Sequence, residues 1–198
     1  MTHINSIGVG IYSDLSVYSI ADAALPATPA TITNWVTLFA TELATAQTVA
    51  AANSFWRIQN VREFPSIGTP ANIVNVPNYG TKTSKQVQGQ ADAPTIEITL
   101  NYVPLDWAPT TNTLGATVGN GKSYLFRFSL LNAQPASYAT TSAGMGSVVG
   151  GVAGSNNNSQ WYWQGKVEAL LINPQLTDAN TATLTISVQS EFYGAFTV

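Results

Sequence analysis

Residues 94–103, PTIEITLNYV, decide the fold. Ile96, Ile98, Leu100 and Tyr102 fall on one side of an extended chain, with Thr95, Glu97, Thr99 and Asn101 on the other. Successive side chains of a strand point to opposite faces, so this period of two is a strand with one buried face. Pro104 stops it. Residues 181–190, TATLTISVQS, repeat the pattern: Ala182, Leu184, Ile186 and Val188 face in, while Thr181, Thr183, Thr185, Ser187 and Gln189 face out.

Further strands are expected on either side of these two. Residues 122–131 (KSYLFRFSLL) gather Tyr124, Phe126, Phe128 and Leu130 opposite Ser123, Arg127 and Ser129. Residues 161–172 (WYWQGKVEALLI) set Trp161, Trp163, Val167 and Ala169 against Tyr162, Gln164, Lys166 and Glu168, and Pro174 ends the run. Residues 55–62 (FWRIQNVR) read as one strand, and residues 7–20 carry a strand or hairpin signal. The fold class is therefore mainly β (α+β), an antiparallel β-barrel or sandwich with a flanking helix and an N-terminal extension.

The helix is expected at about residues 33–52, where Trp35, Leu38, Phe39, Leu43, Ala46, Val49 and Ala50 recur at helical spacing behind Thr33 or Asn34 as a cap. It divides the chain into an extension, residues 1–54, and a β domain, residues 55–198. Residues 66–93 form a long polar loop broken by Pro70, Pro77, Gly80 and Gly89. Loops of that length are functional or disordered. Residues 106–121 show no convincing apolar stripe, and residues 139–160 are a low-complexity Ala/Ser/Gly/Asn stretch, flexible by composition.

Composition bears on function. Only 9% of the 198 residues are charged, against about 25% in ordinary soluble domains. Spread over the roughly 9,000 Å² of a compact chain this size, that is about one charge per 500 Å². With 45% hydrophobic residues and no long apolar run, other copies of the chain are the expected cover, which marks an assembly subunit. A net charge of −3 and a pI near 4.9 argue against a protein built to grip nucleic acid. The chain has no cysteine and no basic-then-apolar leader, so a soluble, unexported protein without disulfides is expected.

The search for catalytic chemistry is nearly empty. His3 is the one histidine, near a terminus, so a Ser-His-Asp or histidine–metal site would have to be built on it. Glu97 and Glu168 could form a carboxylate pair, but each reads as an ordinary outward polar residue. Residues 144–150 (GMGSVVG) miss the phosphate-loop spacing at Val149. No catalytic residue, cofactor or metal ligand is therefore assigned, and the protein is not expected to be an enzyme.

The order of segments carries a resemblance. Ile58, Asn60 and Val61 in an I-x-N-V phrase are followed by the long polar loop and the PTIEITLNY strand closed by Pro104 and Asp106. Then come the aromatic strand (Tyr124, Phe126, Phe128), a GKVE strand leading to Asn173-Pro174, and the closing ATLTISVQS strand. In this order, residues 55–198 resemble the major tail tube proteins of long-tailed (siphovirus-type) bacteriophages. The resemblance implies a β-barrel or sandwich flanked by a helix, assembled as hexameric rings that stack into the hollow tail tube of a virion. DNA passes through the lumen on ejection without specific binding. The implied partners are copies of itself and other tail proteins (terminator, tape measure, distal tail), with assembly in the host bacterial cytoplasm and no membrane. The family's helix usually follows the N-Y-x-P strand, whereas here the helical signal lies in residues 33–52.

On this reading a ring-stacking loop maps to Asn78, Tyr79, Gly80, Thr81, Lys82 and Lys85. The face carrying Thr95, Glu97, Thr99, Thr183, Thr185, Ser187 and Gln189 is the candidate lumen or interface surface. Small polar and acidic groups suit a wall that conducts DNA without holding it, and six copies carry about −18 in all. Two rival readings stand beside this one. The chain could be another virion or secretion-tube assembly protein, such as a decoration or minor tail protein, or a carbohydrate-binding or adhesin β-sandwich using Trp161 and Trp163.

Overall fold

The computed structural model describes residues 13–18, 35, 38–39, 41–42, 54–68, 72–89, 93–108, 114–131 and 158–194. Eleven strands are present among them: β1 (Asp14–Tyr18), β2 (Thr41–Glu42), β3 (Ser54–Arg57), β4 (Val61–Glu63), β5 (Ile73–Val76), β6 (Lys85–Gln88), β7 (Thr95–Asn101), β8 (Ser123–Leu131), β9 (Asn158–Asn173), β10 (Thr181–Val188) and β11 (Tyr193–Gly194). Nine form one sheet in the order β2-β3-β1-β8-β9-β10-β7-β4, with β11 extending the β10 side of β9, and β5 pairs β6 alone. All ladders are antiparallel except the two-residue β2–β3 pair. The protein is thus mainly antiparallel β.

Of the two forms expected, barrel or sandwich, a closed barrel does not form. No ladder among the described residues joins β2 or β3 to β4, so the sheet is open. The reason lies in residues 55–62, which are not one strand. Arg57 ends β3 on one side of the sheet and Val61 begins β4 on the other. Between them the Ile58 amide donates to the Leu15 carbonyl at 2.8 Å, and the Asn60 carbonyl accepts from the Asn101 amide at 2.9 Å. Asn60 turns the chain at a φ of 59°, a left-handed conformation that asparagine tolerates better than most residues. Laid flat, β3 and β4 would lie six strand spacings apart, about 29 Å. Four residue steps of chain reach at most about 14 Å. The sheet must therefore curl until its sides approach, but β3 and β4 run in the same direction with three residues between them, and parallel neighbours need a far longer crossover to pair side by side.

The curl encloses the core. Its inner face carries Leu15 and Val17 of β1, Trp56 of β3, Ile96, Ile98 and Leu100 of β7, and the inward aromatics of β8 and β9, all buried. Ala182, Leu184, Ile186 and Val188 of β10 complete it, so the alternations of β7, β8 and β10 point as expected. Burying each large side chain of this kind contributes about 1.5–3 kcal/mol.

Residues 14–18, which the sequence places in an extension, lie between β3 and β8 in the middle of the sheet. Trp35 and Leu38 are helical, but Thr41–Glu42, inside the expected helix, is a strand beside β3; the remainder of residues 33–52 lies outside the described residues. Trp35, Phe39, Phe55, Leu125 and Tyr162 make a second buried cluster on the outer face of β3, β8 and β9. Residues 106–121 hold the end of one single-turn 3-10 helix and all of a second, Pro104–Trp107 and Leu114–Thr117, which bury Trp107 and Leu114. Gly115 permits their contact, since a Cβ there would lie 2.3 Å from the Trp107 carbonyl oxygen.

Candidate assembly surfaces

Among the described residues, one half of the outer sheet face is covered and the other is bare. Trp35 and Phe39 lie over the β3-β1-β8-β9 half, where the Trp35 ring sits 5.7 Å from Tyr162 and 5.6 Å from Tyr193. On the bare half, the β7–β10 register sets Thr95 opposite Ser187, Glu97 opposite Thr185 and Thr99 opposite Thr183. All six are half-buried or exposed, as is Gln189, whose Nε2 donates to Ser187 Oγ at 3.2 Å. The seven residues expected on a lumen or interface face are therefore brought together. Glu168 joins them from the bulge of β9, accepting a hydrogen bond from Ser187 Oγ. With Lys166 opposite Ser187 on β9, Glu97 and Glu168 leave this surface one charge negative.

The second surface is the β5–β6 hairpin. Residues 66–93, expected as a loop, contain a two-stranded ladder in which Ile73 pairs Gln88 and Val76 pairs Lys85. Every residue of both strands is exposed. Ile73, Val74, Val76 and Val87 present apolar side chains on both faces of the ribbon, and Tyr79 at its turn is 106% exposed. Gly80 adopts a φ of 84°, and Thr81 Oγ1 donates to the carbonyls of Asn78 (3.0 Å) and Thr83 (3.1 Å). All six expected stacking residues sit in this turn or, for Lys85, at the start of β6.

Two features escaped the sequence reading. Arg57 and Arg127 are 4% and 1% exposed. Arg57 Nε donates to Asp14 Oδ1, while Arg127 Nη2 lies 3.6 Å from Asp14 Oδ2 and donates to Ser16 Oγ at 3.2 Å. The Arg127 guanidinium also lies 4.2 Å from the centre of the Phe55 ring and 5.1 Å from that of Phe39. The available signal was the alternation of Asp14 and Ser16 with Leu15 and Val17, which sets a carboxylate on the opposite face of β1 from the core. The second feature is the far end of the β9–β10 hairpin, where Leu171, Ile172 and Leu176 are exposed beside Val103 and Leu105.

The carbohydrate platform is corrected. Trp163 is 0% exposed and Trp161 8%, both within the main core, and Tyr162 fills the cluster behind them. Rings enclosed on both faces of the sheet offer no platform. Glu97 stands opposite Thr185 on β10, Glu168 in the β9 bulge accepts from Ser187 of the same strand, and His3 and residues 144–150 lie outside the described residues. No group of three His, Cys, Asp or Glu among the described residues is placed to hold a metal ion, and no described helix is long and apolar enough to cross a membrane.

No family model and no curated protein matches this chain. A solved structure similar to it is the PVC sheath/tube terminator of an extracellular contractile injection system in its extended state. The two are 12% identical, with a TM-score of 0.43, over 70% of this chain and 86% of the other.

Proposed function

We propose that this chain is a non-enzymatic structural subunit that polymerises into stacked hexameric rings, forming the hollow tail tube of a phage virion through which DNA passes. The observation that carries the reading is the β5–β6 hairpin. A lone two-stranded hairpin is marginal in water, and one with exposed apolar side chains on both faces gains most when a neighbour covers it. The polar β7–β10 face supports a role as lumen wall, because Glu97 and Glu168 outweigh Lys166 there and leave it slightly repulsive to phosphates. The segment order of residues 55–198 supports the same family. In this reading the terminator, tape measure and distal tail proteins meet the two ends of the tube, and assembly takes place in the host cytoplasm.

Negative-stain electron microscopy and sedimentation velocity of the purified protein across a concentration series test the proposal. Rings or tubes with a bore wide enough for a DNA duplex are the expected result. A monodisperse monomer at every concentration overturns it.

A further inference from the structure

We infer that the β5–β6 hairpin of one copy docks on the apolar tip of a second copy, formed by Val103, Leu105, Leu171, Ile172 and Leu176. The inference rests on the self-assembly proposed above and names the receptor for the hairpin.

Three observations converge on it. The first is position. The hairpin rejoins the sheet at Thr95, where the Val188 amide donates to the Pro94 carbonyl at 3.1 Å. Phe64, on the chain leaving β4, packs against Phe128 with ring centres 5.4 Å apart. The apolar tip lies at the other end of the same strands, where Asn101, Thr181 and Asn173 stand side by side. The seven residues of β7 separate the two ends by about 20 Å. A contact between unlike surfaces at opposite ends of one molecule is head-to-tail, and it propagates.

The second observation is chemical match. β9 and β10 run past the core at this end, so Leu171 on the outer face and Ile172 on the inner face are 61% and 48% exposed, while Leu176 in the connection is 101% exposed. Val103 and Leu105 flank them, because the Tyr102 amide donates to the Asn180 carbonyl at 2.7 Å. The tip therefore offers an apolar surface of the same character as the ribbon. The third observation is charge. Residues 72–89 hold Lys82 and Lys85 and no carboxylate, whereas residues 101–108 and 169–182 hold Asp106 and Asp178 and no Lys or Arg. Arg62 reaches Asp178 at 3.6 Å, which still leaves the tip acidic against a ribbon carrying two positive charges.

The test uses full-length chains carrying Leu176→Glu (tip) or Tyr79→Glu (hairpin), both at fully exposed positions, with near-UV circular dichroism to check the fold. Each variant alone is expected to halt at single rings or monomers under conditions where the parent chain forms tubes. Mixed in equal amounts, the two retain one intact hairpin and one intact tip. They are expected to form a paired species, two rings or two chains deep, that grows no further. Tubes of normal length from Leu176→Glu alone overturn the tip as receptor while leaving self-assembly standing. No pairing in the mixture overturns it as well. If the parent chain never assembles at any concentration, the proposed function fails and this inference fails with it.

Discussion

Arg57 Nε donates to Asp14 Oδ1 across the β1–β3 pair, where the two side chains are 4% and 0% exposed. Ser16 Oγ donates to the other carboxylate oxygen, near which Arg127 also lies. One carboxylate thus faces two buried guanidinium groups and ties β1 to both of its neighbours. Removing one partner of a buried ion pair leaves an uncompensated charge and costs about 3–5 kcal/mol. Asp14→Ala is therefore expected to lower unfolding stability by that amount in urea titrations, with Asp14→Asn losing less because it keeps an acceptor. A loss under about 1 kcal/mol would show that the arginines are balanced elsewhere.

Tyr162 lies in the same outer cluster. Burial pushes its phenol up from 10.0 to about 12, and the positive charge of Arg127 draws it back only in part. The sign follows from proton linkage: above pH 10 the unfolded chain loses this proton while the folded chain keeps it. The contribution of Tyr162 is therefore intact below pH 10 and declines as pH rises to 12. Tyr162→Phe also loses the 2.9 Å hydrogen bond to Gln160 Oε1. The stability gap between parent and variant, read from urea midpoints, is expected to narrow between pH 10 and 12. A gap that stays constant would count against a protected phenol.

Asp106 behaves in the same sense at acid pH. Desolvation raises its pKa above 3.8, and the hydrogen bond donated by Asn60 Nδ2 opposes the rise. The folded chain then holds the proton more tightly than the unfolded chain, so stability falls as pH climbs from 3.8 through the raised value. Asp106→Asn removes this dependence. Thermal midpoints are expected to favour the variant more at pH 7 than at pH 3, and equal differences at both would refute the raised pKa.

The two faces of β10 offer the plainest contrast. Leu184 is buried opposite Ile98 and Leu170, whereas its neighbour Thr185 faces out. Leu184→Ala is expected to cost about 2–5 kcal/mol through lost burial and the cavity left behind. Thr185→Ala should stay within about 0.5 kcal/mol. Chemical denaturation of both variants reads the difference, and comparable losses would place the core on the wrong face.

The apolar alternations at residues 94–103 and 181–190 determined that the chain is mainly β, which face of each strand is buried, and which polar residues share a surface. That much was legible because a strand assigns alternate residues to opposite faces whatever it pairs with. The turn at residues 78–81 was also legible, since the turn signals at Pro77 and Gly80 are local. Tertiary structure decided the rest. Whether residues 55–62 form one strand or two depends on which edges lie within reach of Asn60, and only the curl of the whole sheet sets that. The burial of Arg57 and Arg127 depends on Asp14, 43 residues from Arg57, and on the Phe39 and Phe55 rings from two separate segments. The fates of Trp161 and Trp163 were open because alternation shows that two faces exist, but not that both are covered. Periodicity is a property of a segment, whereas edges, curvature and counter-charges belong to the assembled sheet.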